Sequence, residues 1–240
     1  MRNLDDHIAA TYTTLRVGII VLASALPFIL AIGSGTKICP SISAYYYGDL
    51  RDVLVGVLVA VGAFLYLYKG FTKLENYALN LAGIFLVGVA LVPTDSTCQI
   101  SDTGPSLHGT FAVLFFLAIA YVCIFRASDT LSLISDAAKA DRYRKTYKLL
   151  GLGMIVIPLA VVVLTVVLPS RSGSGARPTV FLVETAGVLV FASYWLLKSR
   201  EIALSNAERL ALQGKLAASP QQAADTFKPA AVTAAAPLPG

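Results

Sequence analysis

Six apolar stretches, each close to the thickness of a bilayer, recur near residues 16–34, 51–69, 76–93, 107–126, 149–169 and 179–198. An α-helix rises ~1.5 Å per residue, so ~20 apolar residues cross a ~30 Å hydrocarbon layer. Inside that layer the backbone has no water to bond, so such a run must satisfy itself as a helix. Six of them in 240 residues leave little chain for any other architecture. The expected fold is all-α: a polytopic membrane protein built as a six-helix transmembrane bundle over residues 16–200. Composition agrees, with only 14% charged residues against about 25% in soluble domains. The first run is longer than the apolar region of a signal peptide and follows 15 polar residues, so it reads as a retained span.

Charge orients the bundle. Arg2, Arg16, Lys69, Lys73, six basic residues from Arg126 to Lys148 and five from Lys198 to Lys228 alternate onto one side, 15 of the 19 in all. Lys37, Arg51, Arg171 and Arg177 are left for the other. Cytoplasmic loops carry the excess of Lys and Arg, so both termini are expected in the cytoplasm. Residues 1–15 then form a short cytoplasmic N-terminus and 201–240 a cytoplasmic tail, disordered from about 219, where Ala, Pro, Gln and Thr supply too few large apolar groups to fold. The basic residues flank spans, which argues against nucleic acid as a partner. The basic stretch Lys139–Lys148 is expected to lie against anionic headgroups. A bacterial inner membrane, or another plasma membrane, is the expected location.

Two of the three cysteines, Cys39 and Cys98, fall in outer loops, where a thiol pair stays oxidised. A Cys39–Cys98 disulfide is expected, the alternative being two cysteines too far apart to bridge. Cys123 lies within the fourth run and reads as a small core residue.

The polar chemistry concentrates on the outer side. Tyr45, Tyr46 and Tyr47 precede Asp49, Arg51 and Asp52 at the mouth of the second run; Asp95 closes the third, His108 opens the fourth, and Glu184 sits near the outer end of the sixth. An acid within a span is expensive and is by default a candidate functional group, although a structural tie to Arg51 or a tyrosine hydroxyl is the alternative. At a common depth these groups can border one outer-facing pocket; otherwise they form an interfacial belt, each solvated separately. No metal or cofactor is expected: only His108 is available outside, His7 lying across the membrane, and a catalytic zinc wants about three protein ligands. Serine-nucleophile and phosphate-loop signatures are absent, so no catalytic residue is assigned. Gly83, with Gly88, Ala90 and the stretch Gly56 to Gly62, suits close helix packing. Asn80 is expected to hydrogen-bond to a neighbouring helix, and Gly109 to serve the head of the fourth.

The order of Ser41-x-Ser43 before Tyr45–Tyr47, Tyr68-Lys69 ending the second span, Asn80-x-Ala82-Gly83, His108-Gly109 and Glu184 resembles the damage-regulated autophagy modulator (DRAM) family and its relatives among GPI-anchor remodelling and phospholipid-asymmetry factors. The resemblance covers roughly residues 16–200. It implies six helices with cytoplasmic termini and a role near membrane lipids, with His108, Asn80 and Glu184 as carried-over positions.

The leading functional expectation is non-enzymatic: binding or organising membrane lipid, with a headgroup held between Arg51, the tyrosines and His108 while Glu184 fixes the geometry. A small transporter or ion pathway using Glu184 is the alternative, and an integral-membrane hydrolase the third. Homo-oligomers and protein partners stay open.

Overall fold

The computed structural model describes residues 4–35, 38–94, 106–163 and 179–212. Among them there is no strand, and six long helices and one short helix follow in order: α1 (Leu4–Gly33), α2 (Arg51–Leu67), α3 (Lys73–Leu91), α4 (Leu107–Tyr121), α5 (Ala137–Val162), α6 (Thr179–Ser205) and α7 (Ala207–Leu212). Side chains start several of them. Thr72, Ser106 and Asp136 each accept the amide three residues on, at 3.3, 3.0 and 3.1 Å, and so satisfy a donor that a helix start leaves over. Pro27 and Pro158 are carried inside α1 and α5. At the end of α4 one π turn, Val122–Arg126, widens the helix, with the Ala127 amide reaching the Val122 carbonyl at 2.7 Å.

Five of the helices, those containing 6–33, 73–91, 107–133, 137–162 and 179–205, are long and apolar enough to cross a membrane. Their outward faces carry exposed Val21, Ile32, Leu81, Ile84, Leu152 and Leu182. Water would not tolerate so continuous an apolar exterior on a monomer, so the chain is an integral, multi-pass membrane protein. The second run forms α2, 17 residues long, at the short limit for a span.

Helix ends depart from the apolar runs for one reason: a helix does not stop where the hydrocarbon does. α1 starts at Leu4, so most of the expected polar leader is helical. α5 joins the basic stretch from Lys139 to its apolar run as one continuous helix. The expected disordered tail and the end of the fifth run lie outside the described residues.

Close packing centres on one crossing. A methyl group on Gly83 would meet the Gly62 carbonyl at 2.5 Å, so α2 and α3 touch backbone to backbone there. Gly88 instead receives the Phe111 ring of α4, and Gly56 faces open space. The Asn80 side-chain oxygen is buried without a hydrogen-bond partner, so the expected tie across to a neighbour is not made through that atom.

The helices share two ends. At one, α1 meets α6 through Arg16 and Ser199 at 3.1 Å and α7 through Arg16–Glu208 and Arg209–Asp6, beside the α2–α3 and α4–α5 connections. At the other, the Phe181 amide of α6 bonds the Pro40 carbonyl at 2.7 Å, beside the ends of α1 and α3 and the start of α4. The candidate polar residues belong to this second end.

Candidate functional site

Between α1 and α2 the chain closes into a 3-10 turn, Ser43–Tyr47. Ser41 accepts the Ala44 amide at 3.0 Å and starts it. With three residues per turn, consecutive side chains leave about 120° apart, and the three tyrosines separate accordingly. Tyr45 turns inward: it is buried against Phe181, donates to the Ser34 hydroxyl at 3.1 Å and accepts the Cys39 amide at 3.3 Å. Tyr46 faces both the cavity described below and Arg51, whose guanidinium lies 4.7 Å from its ring centre and 3.2 Å from its hydroxyl. Tyr47 turns out and donates to the Thr94 carbonyl at 2.7 Å.

His108 stands in the first turn of α4, where the Ser106 cap and Gly109 set the helix start, and it is buried. Its Nδ1 lies 2.9 Å from the Val92 carbonyl and its Nε2 2.8 Å from the Ser43 hydroxyl. A carbonyl only accepts, so the neutral ring carries its proton on Nδ1 and receives the Ser43 hydroxyl proton at Nε2. One imidazole thereby joins the 3-10 turn, the end of α3 and the start of α4. Glu184 does the same from α6: its Oε2 accepts the Ile42 amide at 2.6 Å. An acid inside a helix bundle is held here by a main-chain donor at the start of the 3-10 turn.

These groups border one cavity of about 460 Å³ between α2, α3, α4, α5 and α6. Its walls are Leu, Val, Ile, Ala and Phe, among them Leu58, Leu86, Val113, Phe116 and Ile157. Polar groups gather at one end: Ser41, Ser43, Tyr46, Thr94, His108 and Glu184. Of the residues expected around an outer pocket, the fold therefore brings Tyr46, His108 and Glu184 together. Tyr45 packs behind the cavity and Tyr47 outside it. Asp49 is exposed, Asp52 is 96% exposed, and Arg51, half exposed, reaches among the described residues Tyr46 and Asp52, at 3.8 Å from the latter. Arg51 therefore does not border the cavity, and the expected headgroup grip by its guanidinium has no geometry to support it. Asp95 and Cys98 lie outside the described residues; Cys39 is buried beneath the turn, and Cys123 is a buried free thiol. Among the described residues no three His, Cys, Asp or Glu side chains cluster as metal ligands would. Ser41 and Ser43 are cavity residues that pattern reading left as part of a resemblance only.

The opposite end holds a second set of buried polar groups. Lys198, 2% exposed, uses all three donors, on the Ala127 carbonyl at 3.0 Å, Thr130 at 2.8 Å and Glu201 at 2.7 Å. Tyr147 donates to the same Glu201 oxygen at 3.3 Å. Glu75 accepts the Phe71 amide at 2.8 Å, and Arg16 bonds Tyr68, Ser199 and Glu208. An edge-on aromatic chain of Tyr12, Tyr68, Trp195, Tyr194 and Tyr147 encloses them. A recess of about 580 Å³ beside Arg16 is bordered by charges that already answer one another, Arg16 with Glu208 and Arg209 with Asp6. Of these residues, Arg16, Lys198 and Arg209 read in the sequence only as basic residues flanking the spans. Thr72-x-x-Glu75, a capping box, and Lys198-x-x-Glu201, one helical turn apart, are the signals that mark them.

Compared with known proteins, residues 43–197 match a family model whose members are described as proteins of unknown function. The match begins at Ser43 and takes in His108 and Glu184. No curated protein and no solved structure matches the chain.

Proposed function

The chain belongs to the DUF998 family of proteins of unknown function, and from that premise we propose a non-enzymatic lipid-binding role for the cavity. The apolar part of an amphiphile occupies the walls formed by Leu58, Leu86, Val113, Phe116 and Ile157. Its polar end meets Ser43, Tyr46, His108 and Glu184. One observation carries the reading: an apolar chamber of about 460 Å³ with its polar groups at a single end has the same two-part character as a lipid.

The bundle is proposed to cross the membrane six times, α2 included, with both termini cytoplasmic. The bond of Arg16 in α1 to Ser199 in the last turns of α6, at 3.1 Å, supports an even number of crossings, and the Lys and Arg excess supports the orientation. A bacterial inner membrane and a distant kinship with the DRAM group remain part of this reading, resting on charge pattern and motif order. A Cys39–Cys98 bond would tie the two outer connections above the cavity.

Native mass spectrometry of the purified full chain tests the lipid site. A retained lipid or added amphiphile at one per chain is expected in the parent, and its loss in Val113→Trp, which fills the chamber. Equal retention in that variant would remove the cavity from the account.

A further inference from the structure

We propose that the cavity selects amphiphiles whose polar end is an amine or ammonium group, with Glu184 as counter-ion. This rests on the lipid-site reading and adds the headgroup chemistry. Among the described residues bordering the cavity, Glu184 is the only carboxylic acid, and no Lys or Arg stands with it. His108 turns one ring nitrogen to the Val92 carbonyl and the other to the Ser43 hydroxyl. A carboxylate offers about four lone-pair positions; the Ile42 amide takes one at 2.6 Å, leaving room for an N–H of the ligand. The hydroxyl oxygens of Ser43 and Ser41 add acceptors beside it. An anionic headgroup would instead meet a carboxylate in an apolar chamber, where like charges repel far more than in water.

The same geometry weighs against covalent chemistry. Ser43 and His108 have the contact of a nucleophile and its base, at 2.8 Å. An acyl transfer also needs donors for the developing oxyanion. The Ile42 amide beside Ser43 is turned onto Glu184, so a carbonyl oxygen there would face the acid.

The test uses the full chain in nanodiscs of an uncharged, nitrogen-free glycosyldiacylglycerol with dodecylamine, dodecanol and dodecanoate as probes, read by native mass spectrometry. Dodecylamine is expected to bind at least about tenfold tighter than dodecanoate, about 1.4 kcal/mol. In Glu184→Gln that ratio is expected to fall to within about twofold while dodecanol binding persists. Equal binding of amine and carboxylate by the parent overturns the amine preference without needing any variant, as does a preference that survives Glu184→Gln. Failure of all three probes to bind the parent overturns the lipid-site reading itself. Replacing part of the nanodisc lipid by phosphatidylethanolamine separates the sources: displacement of dodecylamine assigns the amine to a lipid headgroup, and persistence assigns it to a free long-chain amine.

Discussion

His108 Nε2 lies 2.8 Å from the Ser43 hydroxyl although 65 positions separate them in the chain. With Nδ1 on the Val92 carbonyl, the ring is the joint between the 3-10 turn and the α3–α4 end of the bundle. Removing it leaves a half-buried hydroxyl and a half-buried carbonyl without that partner, at up to about 1–3 kcal/mol for such a loss. His108→Phe, which keeps the ring volume, is therefore expected to lower the unfolding midpoint in detergent. His108→Gln, which can still donate and accept, is expected to recover part of it. A fluorescence-detected thermal scan of the three proteins checks the order.

Gly83 and Gly56 predict opposite outcomes for the same substitution. Gly83→Ala puts a methyl group 2.5 Å from the Gly62 carbonyl, and forcing helices apart typically costs about 1–3 kcal/mol. Gly56→Ala meets nothing within 4 Å, and alanine is better than glycine in a helix by roughly 0.5–1 kcal/mol. The first is expected to destabilise and the second to be neutral or stabilising, by chemical denaturation in mild detergent.

Lys198 and Glu201, 2% and 0% exposed on their side chains, form a buried pair. Breaking such a pair from one side strands a charge, at about 3–5 kcal/mol, whereas replacing both partners with apolar groups is often near neutral. Lys198→Met is expected to reduce folded yield sharply, and Lys198→Met with Glu201→Leu to restore much of it. Monodispersity on size exclusion reports the outcome.

Cys39 and Cys98 are expected to resist alkylation in the denatured, unreduced chain, while Cys123, a free thiol, takes one label. Mass analysis should show one adduct before reduction and three after it. Three adducts before reduction would leave the outer connections unbridged.

The helices themselves are legible in the sequence, because apolar length alone dictates them. So is the gathering of polar groups at one end: His108 and Glu184 do meet around a common cavity. The distribution among neighbours is not legible. Tyr45, Tyr46 and Tyr47 look equivalent as a string, and only a three-residue turn sends one inward, one to Arg51 and one to Thr94. Arg51 looks like the natural headgroup ligand, yet it follows the turn at the first position of α2 and points along the surface. Arg16, Lys198 and Glu201 look like solvated flanks because hydropathy ends before their helices do. α6 continues to Ser205, and its last turns pack inside the bundle.

Photocrosslinking with a diazirine-bearing dodecyl amphiphile, mapped by peptide mass spectrometry, tests the lipid site most directly. Adducts are predicted on cavity residues such as Leu86, Val113 and Ile157, and their loss in Val113→Trp. Adducts confined to outward-facing residues such as Ile84 and Leu152, unchanged in that variant, would contradict a binding chamber inside the bundle.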